Sequence, residues 1–169
     1  MPKNIVLIGM MGSGKTTVGR LLAQRFDRPL ADTDALIEER QGRSISDIFA
    51  TDGEAHFRAL ELELCRELGG HQGLVIACGG GLPLQDEAIA ALKSSGLVFW
   101  LDRDPGETYD GLDVSGRPLA QSGRDGFIQR YAARAPVYRR WADYLIRRPE
   151  SPLAAGRLIA TIYREVTEP

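Results

Sequence analysis

Eight residues restrict the architecture of this chain more than any other stretch: Gly9-Met10-Met11-Gly12-Ser13-Gly14-Lys15-Thr16. The spacing G-x-x-x-x-G-K-[ST] works only between a strand and a helix, because the loop must wrap until its N–H groups converge on one anion. Both flanks are present here, an apolar run at 5–8 and a helical pattern over 15–26. The first turn of that helix adds positive partial charge at the same point. Lys15 is placed to reach terminal phosphates, and the Thr16 hydroxyl is placed to ligate a magnesium ion. Gly12, Ser13, Gly14, Lys15, Thr16 and Thr17 are therefore the candidate phosphate-binding residues, and a nucleoside triphosphate is the expected ligand.

The rest of the chain alternates in the same way. Short apolar runs at 5–8, 29–31, 74–77, 97–101 and 144–146 read as strands, and helical patterns cover 15–26, 34–41, 46–50, 53–68, 86–94, 126–142 and 153–166. Strands separated by helices imply an α/β fold, a five-stranded parallel sheet covered on both faces in three α/β/α layers. In the helix from Gly53, Phe57, Leu60, Leu64 and Leu68 form the core stripe, with Arg58 and Glu61 beside it at i and i+3. Residues 110–124, DGLDVSGRPLAQSGR, lack an apolar period and read as a surface lid loop. No linker composition flanks that loop, so residues 1–169 are expected to form one domain.

Composition narrows the ligand class. A net charge of −2 leaves no basic excess to neutralise a nucleic-acid backbone, so small molecules are favoured. Cys65 and Cys78 lack metal-ligand spacing and are expected as buried reduced thiols in a reducing compartment. With no apolar stretch of membrane length, a cytoplasmic location is expected, without a membrane partner.

Two further stretches face the phosphate loop across the expected sheet edge. Asp32-Thr33-Asp34 closes the second strand and opens the next helix, and strand alternation turns Asp32 and Asp34 to one side, where ligands of open α/β sheets bind. One carboxylate is suited to magnesium and the other to an acceptor hydroxyl; Asp34 or Thr33 reads equally as a helix cap. Cys78-Gly79-Gly80-Gly81 ends the third strand in three glycines, which implies close approach of something to the backbone. Arg58 reads either as a carboxylate fork or as a partner for Glu61. Arg134 reads either as a second fork or as part of a solvated face with Arg130.

Taken together, GMMGSGKTT, DTD, GRSISDIF followed by DGEAHFR and ELE, CGGG, GRPLA and RAPVY resemble shikimate kinase, in that order along nearly the whole chain. The resemblance implies a P-loop kinase that moves the γ-phosphoryl group of ATP to the 3-hydroxyl of shikimate, with Mg2+ and ATP required, in a monomer. It implies that helices over about 34–68 bind the acceptor, that Asp34, Arg58, Gly79, Gly80, Gly81 and Arg134 surround it, and that Glu61 orients the arginines. Catalysis is implied for Lys15, Asp34 and the lid residue Arg117, and metal binding for Thr16 and Asp32. Arg117 and Pro152 join the nucleotide side. One position departs from the pattern: Asp110 stands where the family usually has an arginine over adenine, which leaves Tyr109, Arg147, Arg148 or Pro152 to cover the base. A kinase for another hydroxylated acid such as gluconate, and a nucleotide binder without catalysis, share the phosphate loop; the first has no need of two arginines on one carboxylate.

Overall fold

The computed structural model describes residues 2–113, 122–147 and 149–168. Five parallel strands, β1 (Asn4–Ile8), β2 (Leu30–Asp32), β3 (Val75–Ala77), β4 (Gly96–Asp102) and β5 (Tyr144–Arg147), form one sheet in the order β2-β3-β1-β4-β5. Among the described residues eight α-helices accompany them: α1 (Lys15–Phe26), α2 (Thr33–Gln41), α3 (Ile45–Asp52), α4 (Glu54–Gly69), α5 (Asp86–Lys93), α6 (Pro105–Asp110), α7 (Gly123–Trp141) and α8 (Pro152–Thr167).

Strand alternation divides the core in two. Ile5 and Leu7 of β1 face one side, where Val18 and Leu22 of α1 and Ala155, Ile159 and Tyr163 of α8 cover them. Val6 and Ile8 face the other, against Phe57 and Leu64 of α4, Ile89 of α5 and Tyr138 of α7. All four β1 side chains are fully buried, which contributes about 1.5–3 kcal/mol for each large aliphatic one. The result is the three-layer α/β/α arrangement implied by the alternating pattern.

Register decides where chemistry can occur. β1 pairs with β3 (Leu7 with Ala77) and with β4 (Ile8 with Trp100), while Asp32 of β2 pairs with Ala77. The loop after β1, the glycines after β3 and the Asp32 carboxylate therefore emerge along one carboxyl edge, where the order of connections reverses around β1.

The expected strands and helices recur within a few residues, with three differences. Asp34 lies in the first turn of α2, not on the strand, and the helix cap is Asp32, whose Oδ1 accepts from Ala35 N–H at 3.1 Å. Helix α6 was not expected: it spans six residues, starts at Pro105 and is capped by Asp104. In α4 the buried stripe is Phe57, Glu61, Leu64, Cys65 and Leu68, so Glu61 lies within the stripe and Leu60 at its margin.

Candidate active site

The loop after β1 needs left-handed backbone at Gly12 (φ 77°) and Gly14 (φ 96°), conformations that disfavour side chains. Gly14 also caps α1, and Val18 N–H returns to its carbonyl at 2.8 Å. Lys15, only 8% exposed, folds over the loop and donates to the carbonyls of Gly9 and Met10, both at 2.7 Å. Burial lowers its ammonium to about 8, although Asp34 beside it favours the charged form. The Thr16 hydroxyl donates to Asp32 Oδ2 at 2.8 Å. That pair offers the hard oxygen donors magnesium takes. Among the described residues no cluster of three acid, histidine or cysteine side chains forms a complete protein cage. A donor set this small fits an ion that completes its shell with water and phosphate oxygens.

A cleft of about 650 Å³ runs from this loop to the three glycines, and Lys15, Thr16, Asp32, Asp34, Arg58, Glu61 and Arg134 all line it. None of Gly79, Gly80 and Gly81 has positive φ, so conformational freedom is not why glycine is present. Crowding is. A Cβ on Gly79 would stand 2.5 Å from Asp34 Oδ1, one on Gly80 would stand 3.3 Å from Arg134 Nη1, and one on Gly81 would collide with the Arg58 guanidinium. Three consecutive residues thus each abut a different functional side chain, within a span of roughly 8 Å. Of the three positions, Gly80 would give an added Cβ the mildest contacts.

The same side chains carry unspent bonding capacity. Asp34 Oδ1, Arg134 Nη1, Glu61 Oε2 and Ser13 Oγ are buried without a hydrogen-bond partner among the described residues. Such atoms are costly unless a ligand meets them. Asp34 is pushed up to about 6 by burial and by Asp32, against the pull of Lys15 and Arg58. Arg58 donates to Glu61 Oε1 at 2.7 Å and Glu54 Oε1 at 3.3 Å, and Gln85 Nε2 donates to the same Glu61 oxygen at 2.8 Å. Burial raises the fully buried Glu61 carboxyl, with Arg58 opposing. Arg58 therefore pairs with Glu61 while bordering the cleft. Arg134 is 6% exposed, which excludes the solvated-face reading.

Other expected residues lie elsewhere. Arg117, Arg148 and most of the lid over 110–124 fall outside the described residues. Pro152 starts α8 as an exposed residue and does not line the cleft. Tyr109 packs against Phe127 with centroids 5.6 Å apart, so its ring belongs to the core. Arg147 borders a separate hollow with Asp102, Tyr131 and Arg139. Asp110 is engaged by Arg124, Nε to Oδ1 at 3.0 Å, joining α6 to α7. The sequence reading missed Thr33 as a floor contact, Gln85 and Tyr138. Only Tyr138 had a signal, its i+4 spacing from Arg134 on one helix face.

Comparison with known proteins identifies the family of the chain. The family model described as shikimate kinase matches residues 11–166. A shikimate kinase of Symbiobacterium thermophilum is 48% identical over 141 residues, 80% of each chain. The structure of a shikimate kinase from Acinetobacter baumannii in complex with shikimate superposes with a TM-score of 0.88 at 34% identity, covering 98% of this chain and 93% of the other. That of a shikimate kinase from Aquifex aeolicus superposes with a TM-score of 0.81 at 32% identity, covering 98% and 99%. A phosphate loop, a buried acid and two convergent guanidiniums on a glycine floor thus occur in a sequence matched almost end to end, and the chain belongs to the shikimate kinase family.

Proposed function

We propose a division of labour among this chain's residues for the family reaction, transfer of the γ-phosphoryl group of ATP to the 3-hydroxyl of shikimate, which yields 3-phosphoshikimate and ADP. The reaction serves chorismate and aromatic amino-acid biosynthesis. Arg58 and Arg134 bind the acceptor carboxylate as guanidinium forks, with Glu61 and Gln85 holding Arg58 in place. Asp34 accepts a hydrogen bond from the attacking hydroxyl and takes its proton as the new oxygen–phosphorus bond forms and the bond to the ADP oxygen breaks.

Phosphoryl transfer needs alignment and neutralisation of charge more than covalent assistance. Lys15 supplies positive charge at the phosphates, and Arg117 from the lid supplies more. Gly12, Ser13, Gly14, Thr16 and Thr17 hold the phosphates, with Arg117 and Pro152 on the nucleotide side. Thr16 and Asp32 would hold Mg2+, which when bound neutralises phosphate charge. This assignment treats residues 1–169 as one kinase domain, monomeric and cytoplasmic; no helix among the described residues is long and apolar enough to cross a membrane.

The observation that carries the reading is the convergence of Asp34, Arg134 and Arg58 on three successive glycines, each arriving from a different helix. An acid and two guanidiniums in one cleft suit a ligand with both a hydroxyl and a carboxylate. Shikimate-dependent ADP formation in the presence of magnesium tests it, with quinate and gluconate as competing acceptors. Turnover of shikimate above the other two is expected; preferential turnover of gluconate would overturn the acceptor assignment.

A further inference from the structure

The polar groups of the glycine floor can be accounted for one at a time. Gly79 N–H donates to the Thr33 hydroxyl at 2.9 Å, and its carbonyl accepts from Leu82 N–H at 3.1 Å. The Gly80 carbonyl accepts from the Tyr138 hydroxyl at 2.6 Å. The Gly81 carbonyl accepts from Leu84 N–H at 3.1 Å. Two donors remain unpaired among the described residues, the N–H groups of Gly80 and Gly81, and both residues line the cleft.

We infer that Thr33 and Tyr138 are positioning residues for the acceptor: their buried hydroxyls fix Gly79 and Gly80 so that the next two N–H groups are presented, beside Arg134 and Arg58, to an anionic oxygen of the acceptor. This inference rests on the acceptor assignment proposed above. Both residues are fully buried. Thr33 lies between Asp32 and Asp34 at the start of α2, so one hydroxyl couples the acidic segment to the floor. Tyr138 lies one helical turn beyond Arg134 on α7, so its bond to Gly80 also sets the distance of that guanidinium from the floor. Neither side chain touches the reacting atoms in this scheme. Each acts through a main-chain group whose freedom it removes.

The test is steady-state kinetics of the full chain with Thr33→Val, Thr33→Ser and Tyr138→Phe. Thr33→Val keeps the side-chain shape and deletes the acceptor of the Gly79 N–H, which is expected to raise KM for shikimate about tenfold while KM for ATP stays within about twofold. Thr33→Ser restores the hydroxyl and is expected to return KM close to that of the parent. Tyr138→Phe is expected to raise KM for shikimate about threefold to tenfold, again sparing ATP. Hydrogen exchange over residues 78–84 gives a readout independent of turnover and is expected to accelerate in Thr33→Val but not in Thr33→Ser. Equal KM values for the valine and serine variants, a matching rise in KM for ATP, or a fall in kcat alone would each overturn the inference. If the parent chain turns over no shikimate, the acceptor assignment fails first; if the parent is active and Thr33→Val matches it, only the inference fails.

Discussion

Replacing Asp34 by asparagine should disable the enzyme and stabilise the protein. The carboxylate is buried next to Asp32, and its proton affinity rises from the ordinary 3.8 to about 6. At pH 7 the folded state therefore holds a charge that it disfavours relative to the unfolded chain. That span, at about 1.4 kcal/mol per pH unit, is about 3 kcal/mol. Part of this gain is lost in the variant, because Asp34 helps keep Lys15 ionised. A net stabilisation of about 1–2 kcal/mol is expected, or a Tm increase of about 3–6 °C for a chain of this size. The pH dependence fixes the sign. A raised acid pKa adds stability below the unfolded value and loses it as pH rises through the folded one. The asparagine variant should thus gain its full advantage above pH about 6 and lose most of it by pH about 4. Thermal or urea unfolding of both proteins across that range measures the difference. A variant less stable than the parent at pH 7, or an advantage independent of pH, would refute the electrostatic reasoning.

Arg134→Ala should raise KM for shikimate at least tenfold and leave ATP affinity nearly unchanged, as read by nucleotide titration; equal weakening of both would contradict its acceptor role. Arg117→Ala should lower kcat by a factor on the order of 10³ if the lid arginine stabilises charge in the transition state, and little change in turnover would remove it from the chemistry. The two pH profiles should fall at opposite ends: kcat/KM for shikimate falls below about 6 as Asp34 protonates, and kcat/KM for ATP falls above about 8 as Lys15 loses its proton. A flat profile across both limbs would exclude these groups. Gly81→Ala should cost more acceptor affinity than Gly80→Ala, because the added methyl meets the Arg58 guanidinium in the first case and only tight contacts in the second; the reverse order in shikimate titrations would contradict the crowding.

What could be read from the residues alone follows physical range. The loop Gly9 to Thr16 forces strand, turn and helix by local geometry, and α1 begins and ends where its pattern does. Helix α6 escaped because six residues beginning with proline carry too little apolar periodicity to register. Asp34 does line the cleft, but the strand alternation used to place it stops two residues earlier, at the Asp32 cap. The burial of Glu61 and Arg134 was not legible, since charged side chains are ordinarily exposed and only long-range partners reverse that preference. Thr33 was considered for a cap because its bond to Gly79 spans 46 positions, a separation no local pattern encodes.

The floor of the cleft also constrains how such a protein can change. With Asp34, Arg134 and Arg58 each seated against its own glycine, a methyl group at one of those positions and the side chain above it compete for the same volume. Epistasis should therefore be local and paired: trimming Arg58 ought to make alanine tolerable at position 81 while doing nothing for position 79. Any drift toward a bulkier or differently charged acceptor would have to proceed through these couples, two substitutions at a time.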